Sequence, residues 1–323
     1  MKKITTLLLL CAVIFSTAGC RMELPQINIP FISSKDTETS SASFARRTSE
    51  TSVIGDFSVE GTTLREYLGD GGDVVIPDGI TVIGPSAFSR TDITSVTIPD
   101  SVEIIGGAAF YECKSLTSIT IPDSVTDIEP YAFSGCILLE SLVLPEGLES
   151  ITMSMCQLCE SLTYVYIPES VTSLEEEGFY GCTLLDNINL PNGITVIEEN
   201  VFYNCKGLTE ITLPNSLVTI SDGVFFGCES LENIILPETV TSIGISAFQG
   251  SGIREITFPE SVEHIGSTAF AGCSNLCSAT FLGFDTSIEI AAFSNCETLT
   301  IYGPSGSSAA VRSSIENIPF ESI

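Results

Sequence analysis

The chain has 323 residues, with 12 Lys and Arg against 41 Asp and Glu, and a formal net charge of −29. That balance excludes nucleic acid as a partner, because such binding depends on basic side chains neutralising phosphates, and it disfavours anionic lipid for the same reason. Net charge of this size keeps an apolar chain soluble and monomeric, and it is compatible with a cationic partner or with loosely held divalent ions.

In chain order, Lys2 and Lys3 precede an apolar stretch from Ile4 to Phe15. It is shorter than the ~20 residues that a bilayer span needs. Small residues follow, Ser16-Thr17-Ala18-Gly19, and then Cys20. The segment resembles a bacterial lipoprotein signal peptide. Ala18, Gly19 and Cys20 fit that family's lipobox, whereas Thr17 stands where it usually has a large aliphatic residue. The resemblance implies removal of residues 1–19, lipid attachment at Cys20 and an extracytoplasmic protein held at the bacterial membrane by its lipid alone. A thioether-linked diacyl anchor supplies the two chains that stable attachment requires. Residues 20–53 are rich in Ser and Thr without periodicity, which predicts a stalk. Residues 54–73, with Phe57, Val59, Leu64 and Tyr67, predict an N-terminal cap. Gly69-Asp70-Gly71-Gly72-Asp73 then reads as a turn. Its ligand count is too low for a calcium site.

From residue 74 to 304 one phrase recurs about ten times. Proline falls at Pro77, Pro99, Pro122, Pro145, Pro168, Pro191, Pro214, Pro237 and Pro259, in steps of 22 or 23. Leu282 takes the tenth slot and Pro304 closes the series. Phenylalanine keeps the same step from Phe88 to Phe293. A fixed period of this length means a solenoid, in which each repeat buries its apolar face only against its neighbours. Within Leu208-Thr209-Glu210-Ile211-Thr212-Leu213, apolar and polar residues alternate, which predicts a short strand with one buried face. Pro214 ends it, because proline donates no ladder hydrogen bond. Leu217, Ile220, Val224 and Phe225 then point inward. Gly or Asn sits at 135, 181, 204, 227, 250, 272 and 295, a choice that implies a positive φ. The expected fold has a parallel sheet on one face, ~45–50 Å long at ~4.8 Å per strand, and short irregular return segments. Residues 305–323 break the pattern and predict a C-terminal cap, with a helix over Ser307 to Ile315 whose apolar side carries Ala309, Ala310, Val311 and Ile315.

Cysteine shares the period. Cys113, Cys136, Cys159, Cys182, Cys205, Cys228, Cys273 and Cys296 occupy one slot, with Thr91 and Ser251 filling its gaps. Such a slot forms an inward column whose members lie ~5 Å apart with parallel Cβ vectors, which disfavours pairing. These residues read as small buried hydrophobes with weak S–H donors. Cys277 lies on the strand face and reads as an exposed thiol.

The unit running from Leu116 to Leu139 and again from Leu231 to Ile253 has the form LxxIxIPxSVTxIGxxAFxxCxx. It resembles the BspA-like, or Treponema-type, leucine-rich repeat over residues 54–323. The resemblance implies a curved leucine-rich repeat solenoid, on secreted or surface proteins of bacteria and some protists, often associated with adhesion. It implies no catalytic residues, cofactor or named ligand.

The chain offers little for catalysis. His264, its one histidine, sits at a position held elsewhere by Asp127, Ser173 or Ser242 and reads as a solvated turn residue, because no motif places a nucleophile near it. Cys156 and Cys159 form a C-x-x-C, a pattern used in redox centres and half zinc sites. No second pair completes a metal site, and Cys156 stands in the Phe slot, so a degenerate repeat is the simpler reading. Glu175-Glu176-Glu177 reads as a solvated charge run. The outward strand positions are the remaining candidates. Most are small and polar, but one stretch offers Tyr164, Tyr166, Asn187, Asn189, Glu210, Asn233, Ile235 and Arg254 as a ligand-binding face. Paired tyrosines supply large contact area at low entropic cost, although aromatics also suit strands on packing grounds alone. The reading is a lipid-anchored surface protein that recognises a protein or glycan, with adhesion as its role. The alternative is a structural spacer with no dedicated ligand.

Overall fold

A computed structural model describes residues 51–323. The signal segment, Cys20 and most of the stalk lie outside the described residues. The described part is a parallel solenoid of turns of about 23 residues, with one short helix.

Strands β1 (Thr51–Ile54), β2 (Phe57–Glu60) and β3 (Thr63–Tyr67) form antiparallel hairpins that cover the N-terminal end. The first of these begins at Thr51, three residues before the expected cap. Val53 and Ile54 have the β-branched character that strands favour, and Gly55 turns at φ 58°. Tyr67 stacks on Phe88 with ring centroids 5.2 Å apart, and β3 pairs in parallel with Val82–Ile83. The cap thereby hands its sheet to the first repeat.

Every repeat turns three corners. Its strand lies on one face, as at Ser118–Thr120, Tyr164–Tyr166 and Asn187–Asn189. The proline carbonyl then accepts from the N–H three residues on, as in Val125 to Pro122 (3.1 Å) and Leu217 to Pro214 (3.0 Å). The return is shorter and more regular than expected. Each carries a two-residue strand, and seven of these, from Ser150–Ile151 to Ser287–Ile288, stack into one sheet. His264 belongs to this ladder, in register with Ser242 and Ser287, and is not in a turn.

The third corner contains two residues of positive φ, four apart. The second is the expected Gly or Asn slot, as in Gly135 (76°), Asn204 (56°) and Gly272 (69°). The first was not anticipated. It holds Ser86, Ala108, Tyr131, Glu177 and Thr268, among others, at 55–62°. Non-glycine residues adopt this region at a cost. Here N–H groups donate to the next repeat and hold the turn, three of them in most repeats: Phe202 to Val224 O at 3.0 Å, with Asn200 to Asp222 O and Asn204 to Phe226 O on either side. Return strands donate the opposite way, as in Gly244 N–H to Ile220 O at 2.8 Å. Each repeat is therefore hydrogen-bonded forward at its turn and backward at its return.

Inside, the phenylalanines form a stack broken at Cys156. Phe179, Phe202 and Phe225 are nearly parallel at 5.7 Å spacing. The cysteine column is buried and unpaired, except that Cys296, near the C-terminal end, is half-buried. Its thiols have a defined task. Cys205 Sγ donates to the Phe179 carbonyl and Cys228 Sγ to the Phe202 carbonyl, both at 3.2 Å. Where serine stands two residues after the proline, it does the same on the opposite side, as Ser124 Oγ to Val102 O (2.7 Å) and Ser170 Oγ to Leu148 O (2.6 Å). Thus the recurrent Pro-x-Ser-Val and Phe-x-x-Cys phrases each satisfy a buried carbonyl one repeat away, as buried polar groups require.

Helix α1 (Ser308–Glu316) closes the C-terminal end, with Ser307 as its N-cap residue. Its buried residues are Ala309 and Ser313, whereas Val311 and Ile315 are exposed. The expected apolar side is therefore only partly the packed one. Polar contacts fix the helix instead: Arg312 donates to the Ile288 carbonyl, and Glu316 Oε1 accepts from the Ala291 N–H at 3.1 Å.

Candidate functional site

The strand face is the surface on which side chains vary while the backbone stays regular. Alternation places Val165, Ile188 and Ile211 inside and leaves Tyr164, Tyr166, Asn187, Asn189, Glu210 and Thr212 exposed outside. Register aligns the row in two pairs of strands: Ser141 faces Tyr164 and Val143 faces Tyr166, and Asn187 faces Glu210 and Asn189 faces Thr212. Tyr164 is 49% exposed and Tyr166 36%. The Tyr166 hydroxyl donates to Glu146 Oε1 at 2.9 Å, and this bond to the carboxylate raises the phenol above its ordinary value. The Tyr166 ring is thereby held in place, while Tyr164 has no such tether.

Asn233 and Ile235 continue the row. Arg254 does not. Asn233 bridges Glu255, so Glu255 holds the outward position and Arg254 precedes it. The repeat is one residue shorter here, which shifts the series. Arg254 is exposed and pairs with Glu232 at 2.8 Å. Cys277 is exposed, and its thiol donates to the Arg254 carbonyl at 3.3 Å.

The face is hydrogen-bonded in pieces. Three strands end at Ser118–Thr120, two pairs follow, and four strands begin at Glu255–Phe258. Residues 234–236 lie in the largest interruption and belong to no strand.

A second aromatic feature lies on the turn edge and escaped sequence reasoning. Tyr180, Tyr203 and Phe226 stack in parallel, 4.8 and 4.4 Å apart, at the position following each core phenylalanine. Partial burial raises both tyrosines. Their faces are spent on one another, which suits a structural ladder. The signal was present in the sequence as a repeated Phe-Tyr or Phe-Phe pair.

His264 Nε2 lies 3.7 Å from Glu289 Oε1 at the surface. Cys156 and Cys159 are fully buried. Among the described residues no group of three or more His, Cys, Asp or Glu side chains is arranged to hold a metal ion.

The model of the BspA type leucine rich repeat region matches residues 72–186 and 174–300, in six copies. The chain belongs to this family. A leucine-rich repeat protein from Bacteroides ovatus ATCC 8483 is 28% identical, with a TM-score of 0.71 over 85% of this chain and 74% of that one. The pneumococcal vaccine antigen PcpA shares the fold at 20% identity, with a TM-score of 0.51 over 78% of this chain and 79% of that one. A leucine-rich repeat protein from Eubacterium ventriosum ATCC 27560 does so at 21%, with a TM-score of 0.50 over 78% and 83%. No curated protein matched the sequence.

Proposed function

We propose that this protein is a non-enzymatic recognition module at the bacterial surface, anchored through lipid on Cys20, whose strand face binds a protein or glycan in adhesion. The observation that carries the reading is the side-by-side exposure of Tyr164 and Tyr166 on a preorganised sheet. Rigid aromatic surface of this kind lowers the ordering cost of binding. Membership of the BspA-type family supports it. The small polar row elsewhere, including Thr97 and Ser118, favours a spacer reading for those repeats.

The test is a binding screen of the full chain against extracellular-matrix proteins, microbial cells and glycans, with a Tyr164→Ala/Tyr166→Ala variant alongside. Saturable binding lost in the variant is the expected result. Binding kept in the variant moves the site, and no binding to any target supports the spacer. For the anchor, mass spectrometry of the mature protein is expected to find diacylglycerol on an N-terminal Cys20. An unmodified thiol there overturns the anchor.

A further inference from the structure

The interruption of the strand face at residues 233–236 has a shape and a charge. Ile235 is 86% exposed. Among the described residues, neither its N–H nor its carbonyl has a backbone hydrogen-bond partner, and the segment joins its neighbours' ladder only through the Asn233–Glu255 bridge. A cleft lies on each side of it, of about 500 Å³ towards Ile211 and Leu213 and about 460 Å³ towards Ile256 and Leu282. Beneath the clefts, Ile211, Leu213, Ile234 and Leu236 are each 6–7% exposed, as Ile167 and Leu190 are elsewhere on the face, whereas the return column of Ile197, Ile220 and Ile243 is sealed at 0%. Leu282 stands where other repeats have proline and leaves a further apolar surface, 42% exposed, at the second cleft.

Glu210, Glu238 and Glu255 rim these clefts. Among the described residues none of their carboxylates has an ion pair or a hydrogen bond, and the nearby Arg254 is already held by Glu232. An apolar wall with free backbone groups, enclosed by uncompensated negative charge, is complementary to one kind of ligand. We infer that this interruption is a docking site for an extended protein segment that presents an aliphatic side chain between lysines or arginines. The aliphatic group enters a cleft beside Ile235, the segment's backbone meets the free N–H and carbonyl of Ile235, and its basic groups meet the three glutamates. Charge complementarity of this kind fixes register and speeds association. The site lies three repeats from Tyr164 and Tyr166, ~14 Å at ~4.8 Å per strand, within reach of one protein partner. The inference rests on the recognition reading above and names its partner class.

The experiment uses the full chain and a fluorescein-labelled nonapeptide of Ser and Gly with one central Leu flanked by two Lys, read by fluorescence polarisation. One control peptide replaces Leu by Ser and another replaces Lys by Glu. Saturable binding of the Lys-Leu peptide is expected, weakened about tenfold or more for either control. Both Ile235→Ser and Glu210→Gln/Glu238→Gln are expected to weaken it similarly, and raised salt to weaken it further. Tyr164→Ala/Tyr166→Ala should leave this short peptide unaffected. Ile235 is at the surface, so an unchanged melting temperature separates loss of binding from loss of fold. Equal binding of the Leu-free peptide, indifference to Ile235→Ser, or no binding of any peptide overturns the inference. A ligand from the wider screen that depends on the tyrosines leaves the recognition reading standing in each of those cases. Peptide binding with an empty screen supports this site and removes the adhesion role.

Discussion

Phe202 is flanked by Phe179 and Phe225 and fully buried, and the Phe202 carbonyl receives the Cys228 thiol. Truncation removes both ring contacts and leaves a cavity that stacked neighbours cannot fill. Phe202→Ala is expected to cost ~3–5 kcal/mol, read as a lowered denaturation midpoint. The thiol ladder makes a second prediction. Burial pushes Cys205 up to about 12, and Cys182 and Cys228 also rise through burial. The thiolate is the reactive form. With a thiol probe at neutral pH, Cys277 is expected to label within minutes and the column only upon unfolding. Rapid modification of most cysteines would contradict the buried column. The periodic slots for Phe, Cys and the second positive-φ residue were legible in the sequence because each demands a particular side chain. The first positive-φ position was not. Ser86, Tyr131 and Glu177 carry no glycine signature, since hydrogen bonds to the next repeat impose their conformation from outside.

At the scale of elements, the face strands were legible because they alternate, and alternation correctly turned Tyr164, Tyr166, Asn187, Asn189 and Glu210 outward. Two-residue return strands are too short to alternate and were read as irregular. The break at residues 233–236 was also hidden, because spacing between strands depends on how neighbours stack and not on the segment's own pattern. The returns also bring acids together. Glu199 is raised above its ordinary value, first by desolvation and then by Asp222 and Glu176 on the neighbouring repeats. A carboxyl raised in the folded state binds its proton more tightly there than in the unfolded chain. Its contribution therefore favours folding below the unfolded value and is lost as pH rises through the folded one. Glu199→Gln is expected to raise stability at pH 7, with the gain shrinking towards pH 4 and in high salt. A gain that is independent of pH would point to packing and not to charge.

Over the whole molecule, stability is expected to follow nearest-neighbour addition, with the ends as special cases. The ends are matched to the two directions of bonding. The last turn offers an N–H, which Glu316 accepts, and the last return offers a carbonyl, to which Arg312 donates. These two residues also pair at 3.5 Å. Arg312→Ala and Glu316→Ala are each expected to cost about 1.5–3 kcal/mol as lost bonds to charged groups. Hydrogen exchange should rise first in the last repeat, at residues 287–303, and hardly at all near Phe110. Uniform acceleration along the chain would mean that the solenoid unfolds as one unit.

Bonding forward at the turn and backward at the return also decides how the molecule answers force. Pulled from its two ends, the stack bears load across every junction in series. The face junctions interrupted in hydrogen bonding, as at residues 233–236, are its weaker welds. A freed repeat of about 23 residues pays out roughly 76–83 Å of chain, at ~3.3–3.6 Å per residue. Such a molecule yields by measured lengths, so a pull that would snap a rigid rod is absorbed as extension.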